Sequence, residues 1–160
     1  MTEFLEWLQG SGLGQAVRGT PYLYAALESL HILGLAVLVG TAICFDLRLL
    51  GVGSRLIRVT TAATCLLRVS RFGFLITALT GIALFAGSAV AVAQTGAFPW
   101  KLALIGVAGL NVLFFHRGVY RRVDSWNTAS TTPRRAHAAA VVSMLAWTAT
   151  VFAGRFIAYT

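Results

Sequence analysis

The sequence predicts an all-α fold: a bundle of four transmembrane helices, with a short interfacial helix before the first and a cytoplasmic amphipathic helix leading into the second. Three observations predict it. The chain is 58% hydrophobic and only 11% charged, against about 45–50% apolar and about 25% charged in soluble domains. Its apolar residues fall in four runs of roughly 20 residues, the length a helix rising about 1.5 Å per residue needs to cross a hydrocarbon core of about 30 Å. Its arginines gather in the connections between those runs. The four spans and their short connections use nearly all of the 160 residues, so residues 1–160 form a single membrane domain.

The opening segment, 1–19, carries Glu3 and Glu6 where a secretory signal has positive charge, and it has no uninterrupted apolar core. Phe4, Leu5, Trp7 and Leu8 oppose Glu3, Glu6 and Gln9, a pattern suited to a helix lying in the membrane interface. Thr20-Pro21 then opens the first span, 21–44: a threonine cap accepts one orphan N–H, and proline at the first helical position omits another. Residues 54–71 place Arg55, Arg58, Arg68 and Arg71 at helical spacing against Leu56, Val59, Ala63, Leu66 and Leu67, which reads as an amphipathic helix running into the second span, 72–93. A bent extension of that span would look much the same. Pro99 opens the third span, 99–116, and Thr132-Pro133 precedes the fourth, 136–157.

Of the 13 Lys and Arg residues, 10 lie in the first and third connections: Arg48, Arg55, Arg58, Arg68, Arg71, Arg117, Arg121, Arg122, Arg134 and Arg135. The positive-inside rule makes that side cytoplasmic and puts both termini on the periplasmic side of a bacterial inner membrane. Trp7, Tyr22, Tyr24, Trp100 and Tyr159 collect at the opposite boundary, as an aromatic belt does. The net charge of +8 thus follows membrane topology and gives no sign of nucleic acid as a partner. Cys44 and Cys65 are too few for a disulfide framework and read as reduced packing residues. Small residues recur at Ala36, Gly40 and Cys44, at Gly73, Thr77 and Gly81, at Gly106 and Gly109, and at Ser143 and Gly154, giving smooth faces for helix contact within the bundle or in a homo-oligomer.

The apolar run 22–46 holds Glu28 and His31 on one helical face, about 10 Å and about 15 Å below the outer boundary. Ionisable groups at such depth face the bundle interior and have a partner or a task. Arg155, near the outer end of the fourth span, is one partner for Glu28, and Lys101 is the competing one. Asp46 shares the face of Glu28 five turns further on, near Arg48 and on the level of Arg71 and His116. Buried polar Asn111 completes the set, and His116 and His137 stand at similar levels. The ligands for a zinc or di-iron site are too few, but a b-type haem needs only an axial His and a second His or Met in a four-helix bundle. His31 is the axial candidate near mid-membrane; His116 and Met144 are candidates for the second ligand, and Arg71 or Arg155 for the propionates.

ESLHILG with VGTAICFDLRLLG, RFGFLITALTGIALFAG, FPWKLALIGVAGLN and SMLAWTATVFAGRFIAY together resemble an uncharacterised family of small four-helix bacterial membrane proteins. The resemblance implies a fold and an inner-membrane location. His31 followed by small residues to Gly40, and the pair Trp100-Lys101, are also similar to the copper-resistance D and HemJ-type membrane proteins. That second similarity implies a haem or porphyrin at His31 with Lys101 beside it. The HemJ-type arginine-rich segment and later histidine do not align with Arg48 and His116, so no role is carried to those two.

Three functions are open at this point. The first is a redox subunit binding b-type haem through His31, or exchanging electrons with quinone or another membrane redox protein. The second is a structural or accessory subunit whose polar groups lock helices. The third is a small transporter or proton conductor using Glu28, His31, Lys101 and Arg155. A soluble enzyme is excluded by the lack of a glycine-rich phosphate loop, a nucleophile elbow and an HExxH pair.

Overall fold

A computed structural model describes residues 2–127 and 132–159. Among these residues every regular element is helical. Four helices are long and apolar enough to cross a membrane: Pro21–Leu49, Val59–Gly87, Ala97–Arg117 and Arg134–Phe156. They begin and end where local chemistry directs. In α3 (Pro21–Leu49), Pro21 stands at the first turn as expected, but Thr20, though it occupies the cap position, makes no side-chain cap bond. The helix also runs five residues past 44, because Phe45 and Leu49 are buried in the core at that end and pull the last turn into it.

The second span is a composite: α4 (Val59–Ala62), a π-helical stretch (Ala63–Leu67) and α5 (Arg68–Gly87). The helix begins only at Val59, so Arg55 lies in a run of turns and Arg58 is the cap residue, while Arg68 and Arg71 belong to the span itself; the π stretch joins α4 to α5 without a break. At the other end the helix stops at Ser88, whose φ of −140° and ψ of 36° leave the helical region, and α6 (Ala89–Gln94) follows in a new direction. The expected end at 93 thus falls in a separate short helix. The third span, α7 (Ala97–Arg117), begins two residues before Pro99. In α8 (Arg134–Phe156), Pro133 is the cap residue, so Thr132 lies outside the helix and cannot cap it. A 3-10 stretch, Val119–Ser125, follows α7.

The N-terminal segment forms two helices, α1 (Thr2–Gly10) and α2 (Gly12–Gly19), divided at Ser11, whose hydroxyl accepts from the Gly14 amide at 3.2 Å. Phe4 and Trp7 of α1 stack at 5.8 Å and remain exposed, which suits an interfacial position. α2 instead docks on the bundle: Val17 is completely buried and lies against Gly87. The Gln9 side chain accepts from the Val90 amide at 3.1 Å, tying the segment to α6.

The long helices form a row. α5 packs on α3, α3 on α8, and α8 on α7. The outer members of this row, α5 and α7, meet at the end carrying the termini, where Phe85 and Phe98 stack at 5.0 Å. Toward the arginine-rich end they diverge. Small residues set the closest approach: at Gly73 an added methyl would lie 2.6 Å from the Leu38 amide nitrogen. The stripe of Ala36, Gly40 and Cys44 faces away from the other helices, with nothing within 4 Å of Gly40, and Gly106 and Gly109 are likewise open. Those two patches do not make contacts inside the bundle, because the row puts α3 against its neighbours through Gly34, Leu38 and Ala42.

Trp7, Tyr22, Tyr24, Trp100 and Tyr159 are all exposed. So are Ile32, Leu33, Leu75, Leu79, Leu110 and Leu145, whose apolar side chains point outward from the spans. A surface of this kind matches hydrocarbon rather than water.

Candidate functional site

Two polar centres lie between the long helices, at different depths. The first surrounds His31. Its Nδ1 is 3.0 Å from the Thr80 Oγ1 on α5. The Thr80 hydroxyl has one proton, and that proton is engaged by the Ile76 carbonyl at 2.7 Å. With its proton on that carbonyl, the Thr80 oxygen is left to accept from His31 Nδ1–H. The imidazole packs against α5 at Gly81, where an added methyl would lie 3.0 Å from its Cε1. Lys101 of α7 bears on the same histidine through its charge. Its side chain crosses Gly154 of α8, where a methyl group would stand 3.3 Å from Nζ. The His31–Thr80 bond joins α3 to α5, and the Lys101 side chain joins α7 to α8.

Glu28 and Arg155 are not part of it. Glu28 is exposed. Arg155 turns back on its own helix, donating to the Tyr159 hydroxyl at 2.6 Å with its guanidinium 4.9 Å from the ring. One helical turn separates those two residues, so the contact costs little order and outcompetes a reach across the bundle. The outer half-channel of Glu28, His31, Lys101 and Arg155 is consequently not assembled.

The second centre is a cavity of about 440 Å³ in the half of the bundle toward the arginine-rich end. α3 supplies Leu38, Ala42, Phe45, Asp46 and Leu49; α5 supplies Ser70, Arg71 and Phe74; α7 supplies Asn111, Phe115 and His116; α8 supplies Ser143 and Trp147. It lies among all four spans, between the facing parts of α5 and α7. Aromatic rings form much of its wall, Phe45 and Phe115 meeting edge to face at 5.9 Å. Asp46, Arg71, Asn111, His116, Ser70 and Ser143 are the polar residues in its lining.

Asp46 is 4% exposed, the Ser143 hydroxyl faces its carboxyl, and its Oδ2 is buried with no hydrogen-bond partner. His116 Nδ1–H donates to the Val112 carbonyl at 2.8 Å, and its Nε2 makes no hydrogen bond. Asn111 donates to the Ala139 carbonyl at 2.9 Å and so ties α7 to α8 along the cavity wall. His137 is bound to its own helix through Pro133 at 3.4 Å, and His116 packs on Tyr120 at 5.3 Å. The two histidines are not brought face to face.

Arg48, adjacent to the cavity in sequence, faces elsewhere. It is 3% exposed and donates from Nε to the Ile57 carbonyl at 2.5 Å and from Nη2 to the Asn127 carbonyl at 3.4 Å. The Asn127 side chain in turn accepts from the Thr60 amide at 3.0 Å, at the start of the second span. Charge counting treats Arg48 as one more cytoplasmic cation. A buried guanidinium that bridges two loops has no signature in spacing, because both of its acceptors are backbone carbonyls. Thr80 was missed for a related reason: a lone threonine in an apolar run carries no signal until its partner across the bundle is known.

A haem implied for His31 finds little room there. The ring is packed on the Gly81 backbone, it is not among the residues lining the cavity, and neither is Met144. At His116 the free Nε2, the cavity and Arg71 fit the needs of an axial ligand and a propionate partner better. Among the described residues no cluster of three or more His, Cys, Asp or Glu suits a metal ion.

The model of a family of unknown function, DUF6644, matches residues 4–160. The chain belongs to that family. No curated protein and no solved structure matches it. The matched residues include both polar centres and all four spans.

The His31 crossing leads to one expected result. Interhelical hydrogen bonds in membranes contribute about 0.6 kcal/mol on average and about 1.7 at most. His31→Ala and Thr80→Val should each lower bundle stability in detergent by an amount in that range, and the double variant should lose no more than either alone. Full additivity in that cycle would show that the two side chains do not interact.

Proposed function

We propose that the protein is a multi-pass subunit of the bacterial inner membrane, with both termini periplasmic, that serves in electron transfer by binding a quinone-class ligand in the α5/α7 cleft. The observation that carries this reading is the cleft: about 440 Å³, lined mostly by apolar and aromatic side chains with a few polar ones among them. Small-molecule sites usually span about 300–1,000 Å³ with a few polar groups among apolar ones. A flat ring packs between Phe45, Phe74, Phe115 and Trp147, its polar substituents reach Asp46, Arg71 and His116, and an apolar tail leaves between the diverging helices into lipid. Such a ligand enters sideways from the bilayer. The orientation is supported by the 10 of 13 basic residues at the end of the bundle where the cleft lies. In this reading His31 and Lys101 hold the four spans together at the other end.

A b-type haem is the second reading, favoured by the free Nε2 of His116 beside Arg71. When bound, haem would supply one-electron chemistry. His116 would hold its iron, and Arg71 would pair with a propionate.

Both readings are checked on protein in lipid nanodiscs. A short-chain benzoquinone should quench tryptophan fluorescence saturably, and Trp147→Phe should remove most of the saturable part. Quenching that rises linearly with concentration in both proteins would eliminate the quinone reading. Spectra of the oxidised and dithionite-reduced protein test the other: a Soret band that shifts on reduction and disappears in His116→Ala would establish haem.

A further inference from the structure

We infer that an anionic phospholipid of the arginine-rich side seats on this cavity, its phosphate on Arg71 and one acyl chain inside, between α5 and α7. The inference goes beyond the proposed function, since it names what fills the cavity in the membrane when no other ligand does. The lining reaches the outside of the bundle: Phe74 of α5 is 50% exposed, and Val112 and Leu113 of α7 are 44% and 39% exposed. These side chains belong to the spans, so the surface they share with the cavity is turned to hydrocarbon. Further in, Leu38, Phe45 and Trp147 continue an apolar wall. Such a wall takes up lipid, because left unfilled it forfeits the contacts an acyl chain makes with it.

Arg71 decides which lipid. It lines the cavity and is exposed. Counted from Gly87 at the far end of α5, it stands about 24 Å along the helix, against a hydrocarbon core of about 30 Å. Its guanidinium is thus at the edge of the hydrocarbon, within a side chain's reach of the phosphates. A charge at that level needs an anion. The protein supplies none: among the described residues no hydrogen bond or ion pair reaches Arg71. Asp46, the one carboxylate of the lining, is 4% exposed and makes no ion pair with it. Arg68, one turn earlier on the same helix, is exposed as well. At this end Asp124 is the only exposed carboxylate among the described residues, whereas every arginine there except Arg48 is exposed. A phosphate meets the guanidinium through two parallel hydrogen bonds. Zwitterionic lipids bring a cation with that phosphate, so a lipid of net negative charge is the better fit to a basic rim.

The test is quenching of tryptophan fluorescence by brominated acyl chains, on the whole protein in phosphatidylcholine nanodiscs. Bromine quenches an indole that it touches, and Trp147, 7% exposed in the cavity wall, is touched by a chain that has entered. Its share of the signal is the difference between the wild type and Trp147→Phe. Brominated phosphatidylglycerol should half-quench that share at a mole fraction at least about fivefold below that of brominated phosphatidylcholine, the factor one arginine near a membrane surface contributes. Arg71→Gln should bring the two lipids together. Arg55→Gln, exposed at the same end but outside the lining, should leave their ratio as it is. Equal mole fractions in the wild type overturn the inference, as does a preference that survives Arg71→Gln. A loss in Arg55→Gln as large as in Arg71→Gln also overturns it, because the attraction would then belong to the whole basic face. Absence of quenching by either lipid would mean that no chain enters. Native mass spectrometry provides a second readout that does not need Trp147→Phe: phosphatidylglycerol should stay with the wild type and leave Arg71→Gln, and equal retention by both refutes the site.

Discussion

Gly73→Ala should separate α3 from α5 and lower stability by about 3 kcal/mol, the upper part of the range for overpacking. The added methyl would lie 2.6 Å from the Leu38 amide nitrogen, 2.9 Å from the Gly34 carbonyl oxygen and 3.0 Å from the Leu38 Cα. All three are backbone atoms, so no rotamer change relieves the clash and the helices themselves must move. Within a bilayer the cost is felt directly, because helix association depends on van der Waals contact and interhelical hydrogen bonds with no hydrophobic effect to compensate. Two such bonds cross this interface, from the Ser70 hydroxyl to the Leu38 carbonyl at 3.4 Å and from His31 to Thr80 at 3.0 Å. Gly34→Ala should cost less, since its closest contacts are the side-chain atoms Thr77 Oγ1 at 2.7 Å and Ile76 Cγ2 at 2.9 Å, which can give way. Gly40→Ala and Gly106→Ala meet nothing within 4 Å and should be close to neutral. Thermal unfolding followed by circular dichroism in mild detergent ranks the four variants. A Gly73→Ala protein as stable as Gly40→Ala would contradict the close crossing.

Arg48→Ala is the second large effect. Hydrogen bonds to charged groups contribute about 1.5–3 kcal/mol each, and this guanidinium makes two, to the carbonyls of Ile57 and Asn127. A loss of about 3 kcal/mol is expected. Arg48→Lys should restore little of it, because an ammonium on a flexible stem lacks the fork that reaches two carbonyls at once. The damage should be local as well as global. Asn127 also accepts from the Val59 amide at 3.3 Å through its carbonyl and from the Thr60 amide at 3.0 Å through its side chain. Hydrogen exchange at Val59 and Thr60 should therefore accelerate well before the spans unfold. Unchanged protection there, with stability intact, would show that the two loops are held by the neighbouring Val59, Val123 and Trp126 core alone.

Much of the architecture was legible because its causes are local. Length and hydropathy locate four spans, and Pro21 marks a helix start whatever packs around it. Helical rise also places Asp46, Arg71 and His116 near one level, and all three are among the residues lining the cavity. Side-chain partnerships were harder. Glu28 and Arg155 looked like natural partners by depth, but Tyr159 stands one turn from Arg155 and engages it first. Ala36, Gly40 and Cys44 have the period of a packing stripe, yet the α3 face turned toward α5 and α8 is the one with Gly34, Leu38 and Ala42. Period establishes that a face exists; it does not say which way it points.

By itself, then, the sequence determined the number of spans, the end at which the basic residues collect and the depth of each polar group, because helical rise and the solvation of charge depend on nearest neighbours along the chain. Only the tertiary structure decided that the helices form a row, that a cavity lies between its two outer members, that His31 meets Thr80, and that one Asp46 oxygen is buried without a partner. Those outcomes depend on crossing angles and helix rotations, which are set by close contacts such as that between Gly73 and Leu38, between residues far apart in the chain.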